Sequence, residues 1–349
     1  MKDNGLLVQY FNANTPADQT LWAKAAKDAA TLKKLGATAV WFPPATKGAA
    51  GKDDRGYAPY DLYDLGEFNQ KGSVGTRYGT KKEYLEAIDA MKAQGINVYA
   101  DIAVRQKLGA DSVEKVTAAD FNAKDIPQMI GNKKIVGALS KFTFPGRKSK
   151  YSKFKWNWNH FAGIDWQQDD FKRRVCELSG MTEMEAEKKY KLSKYDYIIG
   201  SELDLYNQEV YDELMAWAKW YEDVTGVDGF RFQEAEKIPG WFIRDFAEAA
   251  SNAGEEEKEI FTVGDFWHWR CDYINDYIAS ADNQPSMFDV PLHFSFHDAS
   301  VAEGEYDLSR LLDGSMMMSN PAKAVTFVEN HESQPGGVLE SAVAEWFKP

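Results

Sequence analysis

The hydrophobic positions of the chain predict amphipathic helices that each end at a glycine and lead directly into an apolar strand. A first helix is indicated over residues 18–35, because apolar side chains recur there every three or four positions. The recurring residues are Leu21, Ala25, Ala29 and Leu32. Gly36 can end the helix in the left-handed conformation, and the apolar run 37–42 follows at once.

The same order of elements recurs twice more. Thr80 and Glu83 have the spacing of a capping box, and the helix that they begin ends at Gly95, before the apolar residues 96–102. A third helix is predicted between Asn207 and Gly226, before the strand-like residues 227–232. Further strand candidates are residues 6–10, 260–266, 287–290 and 324–328. Seven strands that alternate with helices predict an α/β fold built on a parallel sheet.

The alternation breaks between Arg105 and Asp204. This stretch is rich in Lys, Trp, Tyr and Asp and has no clear helical period. We therefore expect residues 105–204 to form an inserted subdomain, and residues 1–104 and 205–349 to form the main domain together.

Composition and charge narrow the function classes. The 349 residues include 41 basic and 54 acidic side chains, a formal net charge of −13 that repels phosphates and anionic lipids, so we expect no nucleic-acid partner. No apolar run approaches the roughly 20 residues that span a bilayer, so we expect no membrane partner either. No secretory leader is visible after Met1, from which we expect a cytoplasmic protein, although a secreted form that has lost its leader fits as well. Aromatic residues make up 14% of the chain, which favours a carbohydrate or another stacking ligand.

Four short segments fall at the carboxyl ends of predicted strands, where parallel α/β folds place their chemistry. They are residues 101–106 (DIAVRQ), 229–233 (GFRFQ), 261–267 (FTVGDFW) and 327–332 (FVENHE).

The order and spacing of these segments resemble the α-amylase family of glycoside hydrolases, in particular its bacterial liquefying and cytoplasmic types. The resemblance extends through residues 8–11 (VQYF), 41–44 (WFPP), 56–57 (GY), 60–68 (YDLYDLGEF), 144–147 (FPGR) and 288–292 (FDVPL). It implies a (β/α)₈ TIM-type barrel with a subdomain inserted after the third strand, and retaining hydrolysis of α-1,4-glucans such as starch or glycogen. Because the chain has seven strand candidates, we expect a truncated barrel that lacks the eighth strand.

The resemblance places substituted residues at all three catalytic positions. Family members use an Asp nucleophile after the fourth strand, a Glu acid after the fifth and a further Asp after the seventh. The matching residues here are Gln233, Asp265 and Glu332. An amide is neutral and barely nucleophilic, and the shorter side chain of Asp265 withdraws its carboxyl by about an ångström. Hydrolysis is therefore expected to be impaired or absent, as in a pseudoenzyme.

The resemblance also implies a substrate-binding set, and the expected ligand is an α-glucan. Tyr57, Arg231, Asn330 and His331 keep the family's residues, whereas Gln106 replaces a histidine.

Several alternatives remain open at this point. A slip of one residue would bring Glu234 to the nucleophile position, and Asp265 with Glu332 could instead hold a water for inversion, which requires a wider carboxyl separation than retention. Either would give an active endo-hydrolase. A non-catalytic α-glucan-binding protein and an altered copy without a present function are the other hypotheses.

Finally, the resemblance implies a Ca²⁺ ion between barrel and insertion. Asp196, Glu202 and Asp204 keep carboxylates at matching places, but Arg105 stands where the family has an asparagine ligand. A guanidinium there repels a cation. One hypothesis is that Arg105 replaces the ion by pairing with the carboxylates, and the other is that it points to solvent beside an empty site.

Overall fold

The computed structural model describes residues 5–120, 133–169, 172–178, 200–254, 258–302, 304–335 and 343. In chain order, its strands are β1 (Leu7–Gln9), β2 (Ala39–Phe42), β3 (Lys47–Gly48), β4 (Pro59–Asp61), β5 (Asn97–Ile102), β6 (Gln106–Lys107), β7 (Ser112–Asp120), β8 (Lys134–Lys141), β9 (Phe161–Gln167), β10 (Lys172–Glu177), β11 (Ser201–Leu203), β12 (Gly229–Phe232), β13 (Phe261–Gly264), β14 (Ser286–Phe288) and β15 (Ala324–Val325).

Helices follow most of the central strands. They are α1 (Leu21–Lys34), α2 (Lys81–Ala93), α3 (Gln208–Thr225), α4 (Gly240–Ser251), α5 (Cys271–Ser280), α6 (Val290–Val301) and α7 (Met316–Ser319). The predicted capping box is confirmed, because Glu83 accepts from the Thr80 backbone while Thr80 accepts from the Glu83 backbone. Among the described residues, no helix combines the length and apolar character that crossing a membrane requires.

The central sheet has seven parallel strands in the order β1-β2-β5-β12-β13-β14-β15. Its middle strand β12 pairs with β5 and β13, so that Gly229 lies opposite Tyr99 on one side and Phe261 on the other. The sheet curves as an incomplete (β/α)₈ barrel, which confirms the predicted α/β fold class and the seven strands predicted for it.

Element ends differ from the predicted ones. The sequence predicts the last strand over residues 324–328, but its pairing ends at Val325, and residues 326–328 are irregular. Helix α1 begins at Leu21, and its buried face contains Trp22 in place of the predicted Leu21. Trp22 packs against Phe42, Tyr78 and Tyr84, and the larger indole takes the core position.

A second sheet lies between β5 and α3 in the chain. Six antiparallel strands form it, in the order β6-β11-β9-β10-β7-β8. All six fall within residues 105–204, where the sequence predicts an insertion. Strands β3 and β4 form a separate two-stranded sheet, and both lie before residue 105, outside the predicted insertion.

Lys107 is buried where the second sheet begins. Its Nζ lies 5.1 Å from the ring centroid of Trp156, 5.3 Å from that of Phe142 and 5.6 Å from that of Phe144. Within the described part of the chain, this Nζ has no hydrogen-bond partner. Burial lowers the pKa of Lys107 to about 7, against an opposing effect of Asp61. The amine is therefore held in an aromatic cage at a cost to its charged form.

Replacing Lys107 by Met is expected to stabilise the protein. Because the amine has a lower pKa in the folded chain than in the unfolded one, the unfolded chain binds more protons between about pH 7 and pH 10. The contribution of Lys107 to the free energy of unfolding therefore rises with pH across this window and is smallest below pH 7. Lys107→Met should raise Tm by several degrees near pH 6 and less near pH 9, as calorimetry can measure.

Lys82→Met is the matched control, since the Lys82 side chain is 84% exposed. It should leave Tm nearly unchanged at both pH values. If the Tm of Lys107→Met were lower than that of the wild-type protein at both pH values, the aromatic cage would stabilise the ammonium form, contrary to this interpretation.

Candidate functional site

One buried cation, Arg231 of β12, lies where the central strands end. Its Nη1 donates to Asp101 of β5 at 3.0 Å, its Nη2 pairs with Asp265 after β13, and Glu332 Oε2 lies 3.6 Å from Nη2. Burial lowers the pKa of Arg231, but the three carboxyl groups outweigh this effect and raise the pKa above its ordinary value. Neighbouring parallel strands end at the same edge, so three acids from distant parts of the chain share one positive charge.

Asp265 and Glu332 are in direct contact. Burial and the charge of Asp265 raise the pKa of Glu332 well above its ordinary value, and a hydrogen bond between the two carboxyl groups adds to the rise. Trp267 Nε1 donates to Glu332 Oε2 at 2.9 Å and lies 3.4 Å from Asp265 Oδ2. The two carboxyl groups therefore contact each other beside Arg231, without the gap for a water that an inverting mechanism requires.

Asp101 connects this centre to two aromatic side chains. It accepts from Tyr57 Oη at 2.6 Å and from Trp41 Nε1 at 3.1 Å. Burial raises the pKa of Asp101 to about 6, although Arg231 opposes the rise. With three donors on one carboxylate, Asp101 fixes the positions of Arg231 and Tyr57 together.

Tyr57 and His331 form a parallel aromatic pair. Their ring centroids are 5.4 Å apart with an angle of 8° between the planes, and Tyr57 Oη lies 2.9 Å from His331 Nε2. Since the Tyr57 hydroxyl donates its proton to Asp101, it accepts from Nε2–H of the neutral histidine. Burial and Arg231 both lower the pKa of His331, in agreement with the neutral form. Phe11, which follows β1, packs on His331 with 4.9 Å between the ring centroids.

Asn330 and Gln106, both predicted to bind substrate, support the site through backbone contacts. Asn330 Oδ1 accepts from the N–H groups of Glu332 at 2.9 Å and Ser333 at 3.0 Å, and so shapes the turn that carries His331 and Glu332. Gln106 Nε2 donates to the Tyr57 carbonyl at 3.0 Å.

The turn after β12 holds Gln233 and Glu234. Gln233 is half-buried. Glu234 has a left-handed φ of 48°, and its backbone N–H donates to Asp265 Oδ1 at 2.6 Å. Its carboxylate lies 3.2 Å from Nη2 of Arg105. Glu234 therefore contacts Asp265 through its backbone and Arg105 through its side chain.

Sequence reasoning missed Glu236 and Trp267 as site residues. Glu236 is buried in the turn after β12, and its Oε2 has no partner among the described residues. Burial, with the charges of Asp265 and Glu234, raises the pKa of Glu236 to about 8. Trp267 ends the segment 261–267 at a predicted strand end, which could have indicated it. No sequence signal marks Glu236, because its burial depends on the fold of the turn.

One of the carboxylates expected around a calcium ion, that of Glu202, lies beside the guanidinium of Arg105. The Arg105 side chain is only 4% exposed, so the prediction that it points to solvent is wrong. Its Nη1 lies 3.9 Å from Glu202 Oε1, opposite the contact with Glu234. Asp204 Oδ1 accepts from the Tyr206 backbone at 3.2 Å, and Asp196 lies outside the described residues. No group of three or more metal-binding side chains forms in the described ranges, and a cation does not fit beside Arg105.

Comparison with known proteins shows the family to which the chain belongs. The chain is 43% identical to an alpha-amylase of Geobacillus stearothermophilus, over 99% of this chain and 63% of that protein. It is 36% identical to the cytoplasmic alpha-amylase of Escherichia coli K12, over 99% of this chain and 70% of that protein. The chain belongs to the α-amylase family. It spans about two thirds of the length of these relatives. No protein-family model matches it.

A solved α-amylase structure has the same fold. The alpha-amylase from Geobacillus thermoleovorans, complexed with acarbose, superposes with a TM-score of 0.58 at 17% identity, over 93% of this chain and 60% of that one. This likeness supports the barrel assignment, as the curved parallel sheet does.

Removing the central cation should destabilise this α-amylase family member strongly. Arg231→Met leaves three buried acids without their common partner, and we expect the free energy of unfolding to fall by about 3–5 kcal/mol. Urea unfolding measures the change. Arg244→Met is the control, because Arg244 makes surface pairs with Asp245 and Asp282 and should cost less than about 1 kcal/mol. Equal losses for the two variants would contradict a special role for Arg231.

Proposed function

We propose that this chain binds α-1,4-glucans at the carboxyl edge of the central sheet and that its hydrolytic activity is impaired or absent. Its relatives are named alpha-amylases, and the neighbour from Geobacillus thermoleovorans is complexed with acarbose. A cytoplasmic location is part of the proposal, supported by the relation to the cytoplasmic alpha-amylase of Escherichia coli.

The state of the carboxyl groups carries the proposal. Retention needs an ionised nucleophile and an acid roughly 5 Å apart, on opposite sides of the bond to be cleaved. Here the half-buried Gln233 occupies the position that the family resemblance assigns to the nucleophile. Asp265 and Glu332 contact each other and Arg231, an arrangement in which the three groups stabilise one another.

Sugar binding does not depend on those groups being reactive. The Tyr57 ring is partly exposed and stacks on the buried His331, and a supported aromatic ring of this kind can pack on the apolar face of a glucose unit. Asp101 and Asn330 hold these rings in place from behind through the Tyr57 hydroxyl and the 330–333 turn. In our proposal, the aromatic pair supplies affinity while the neighbouring carboxyl centre supplies no nucleophile.

An active endo-hydrolase is the second candidate. It would need Glu234 as nucleophile, and one observation favours it: this carboxylate lies on the same turn as Gln233 and keeps a charged partner in Arg105. Attack on a sugar would require Glu234 to leave Arg105. We therefore prefer the binding function.

The unmodified chain should release no reducing ends from soluble starch above background, while a starch column retains it. Combining Gln233→Asp, Asp265→Glu and Glu332→Asp should restore turnover if these three positions are at fault, because a carboxylate pair at the retaining distance is then available. The assay compares reducing-sugar release by both proteins. Gln94→Asp, an exposed change outside the site, is the control and should stay inactive.

Turnover by the unmodified chain at a rate like that of its relatives would contradict impaired hydrolysis. Loss of that turnover in Glu234→Gln would then identify the second candidate as correct.

Arg105 takes the place of a structural calcium ion in our proposal. Its side chain connects Glu202 of β11, in the inserted sheet, with Glu234 of the barrel turn, as a bridging cation would. A fixed guanidinium makes such a bridge independent of free metal.

Chelation should therefore leave Tm of the wild-type protein unchanged. Arg105→Asn removes the positive charge from Glu202 and Glu234, so we expect a lower Tm that added Ca²⁺ partly restores. Calorimetry with EDTA and with Ca²⁺ measures both effects. Tight stoichiometric binding of Ca²⁺ to the wild-type chain would contradict the replacement.

A further inference from the structure

A buried ammonium group lies among oxygen atoms beside the strand pair β3-β4. It belongs to Lys47, the first residue of β3, whose side chain is fully buried. Its Nζ donates to the carbonyl oxygens of Val74 at 2.6 Å, Ser73 at 2.8 Å and Phe68 at 3.1 Å. Oδ2 of Asp64, also fully buried, lies 3.4 Å from Nζ. We call these four oxygen atoms the oxygen shell.

The oxygen shell fits a monovalent cation. Three carbonyl oxygens match the three hydrogens of an ammonium group, and backbone carbonyl oxygens also bind K⁺ in selective channels. Calcium takes about six to eight oxygen atoms at about 2.3–2.6 Å, and magnesium binds at still shorter distances. The shell has fewer oxygen atoms at longer distances, and its one carboxylate balances one positive charge.

The neighbouring acid, Asp61, has a cation of its own. Nε of Arg147 donates to both of its carboxylate oxygens, at 3.0 Å and 2.8 Å, and this pair is buried as well. Nε2 of Gln70 donates to Asp61 at 2.9 Å and to Asp64 at 3.0 Å, and so connects the two ion pairs. Since Arg147 pairs with Asp61, the charge of Asp64 is left for the ion in the shell. Burial lowers the pKa of Lys47, and Asp64 opposes this effect.

The ion in the shell connects two segments of the chain. Oδ1 of Asp64 accepts from the backbone N–H groups of residues 66–68 at 2.8–3.2 Å, so the acid holds the start of the segment whose carbonyls complete the shell. Lys47 pairs with Asp61 across β3 and β4, and Tyr57 lies in the connection between these strands. A positive charge at this point therefore holds both that segment and the hairpin that carries Tyr57.

We propose that the oxygen shell is a binding site for a monovalent cation of the size of K⁺ or NH₄⁺, which the ammonium group of Lys47 occupies as a built-in ion. The order of residues 47–61 and 66–74 then depends on a positive charge in the shell, and not on the lysine stem. The inference uses other residues than the proposed glucan site and does not rest on it.

Lys47→Ala tests the inference, because it removes the amine and opens space for a free ion. Its Tm should be lower than that of the wild-type protein in choline chloride, since choline is too large for the shell. Replacing choline by about 0.2 M K⁺ or NH₄⁺ should raise that Tm by about 3 °C. Hydrogen exchange of residues 47–61 and 66–74, measured by mass spectrometry, should slow about tenfold in K⁺. The wild-type protein should show neither response.

Two further variants serve as controls. Lys107→Ala is matched to Lys47→Ala, because Lys107 is equally buried but lies among aromatic rings, and its Nζ has no hydrogen-bond partner in the described part of the chain. Its Tm should be the same in K⁺ and in choline. Lys47→Met fills the space of the stem without a charge, and its Tm should be lowered in both salts because the shell oxygens lose their partner.

Each remaining outcome decides the matter. An equal Tm of Lys47→Ala in K⁺ and choline overturns the inference, and so does the same K⁺ response in Lys107→Ala, which would be a general salt effect. A wild-type Tm for Lys47→Met overturns it because the charge is then unnecessary. If Lys47→Ala is unfolded in choline, refolding in K⁺ supports the site, whereas failure to refold in either salt overturns it. None of these results depends on whether the chain binds a glucan.

Discussion

A single buried guanidinium holds the carboxyl edge of the sheet together. Arg231 could not stay charged inside the barrel without compensation, and three acids from β5, β13 and the final turn provide it. Those acids in turn could not be buried side by side without Arg231. The arrangement fixes Asp101, and through it Tyr57, so the aromatic surface and the carboxyl centre are parts of one electrostatic unit.

The same electrostatic unit explains how sugar binding can persist when hydrolysis is lost. Glu332 contacts Asp265, and both groups face Arg231, so much of their hydrogen-bonding capacity is used within the protein. The Tyr57 ring stacks on His331 and remains partly exposed, so it can still pack on a sugar. We propose on this basis that substitutions at the catalytic positions remove reactivity while the surface that packs on sugar is retained.

Local signals made most of the barrel predictable. The capping box at Thr80 and the left-handed Gly226 after α3 depend on neighbouring residues, and both were readable from the sequence. The pairing inside the inserted sheet joins strands far apart in sequence, and no periodicity specifies it. The contact between Arg105 and Glu234 was equally unpredictable, because it depends on a left-handed backbone at a non-glycine residue. Glu236 and Lys107 acquire unusual pKa values only from burial, which a sequence does not show.

Covalent trapping tests the central claim most directly. The wild-type chain would be incubated with an activated fluorinated α-glucosyl donor, which accumulates the glycosyl-enzyme intermediate of retaining hydrolases, and its intact mass measured. We predict an unchanged mass, because a neutral amide occupies the assigned nucleophile position, whereas the Gln233→Asp, Asp265→Glu, Glu332→Asp variant should gain one sugar. A glycosyl adduct on the wild-type chain, at Glu234 or any other residue, would contradict the account.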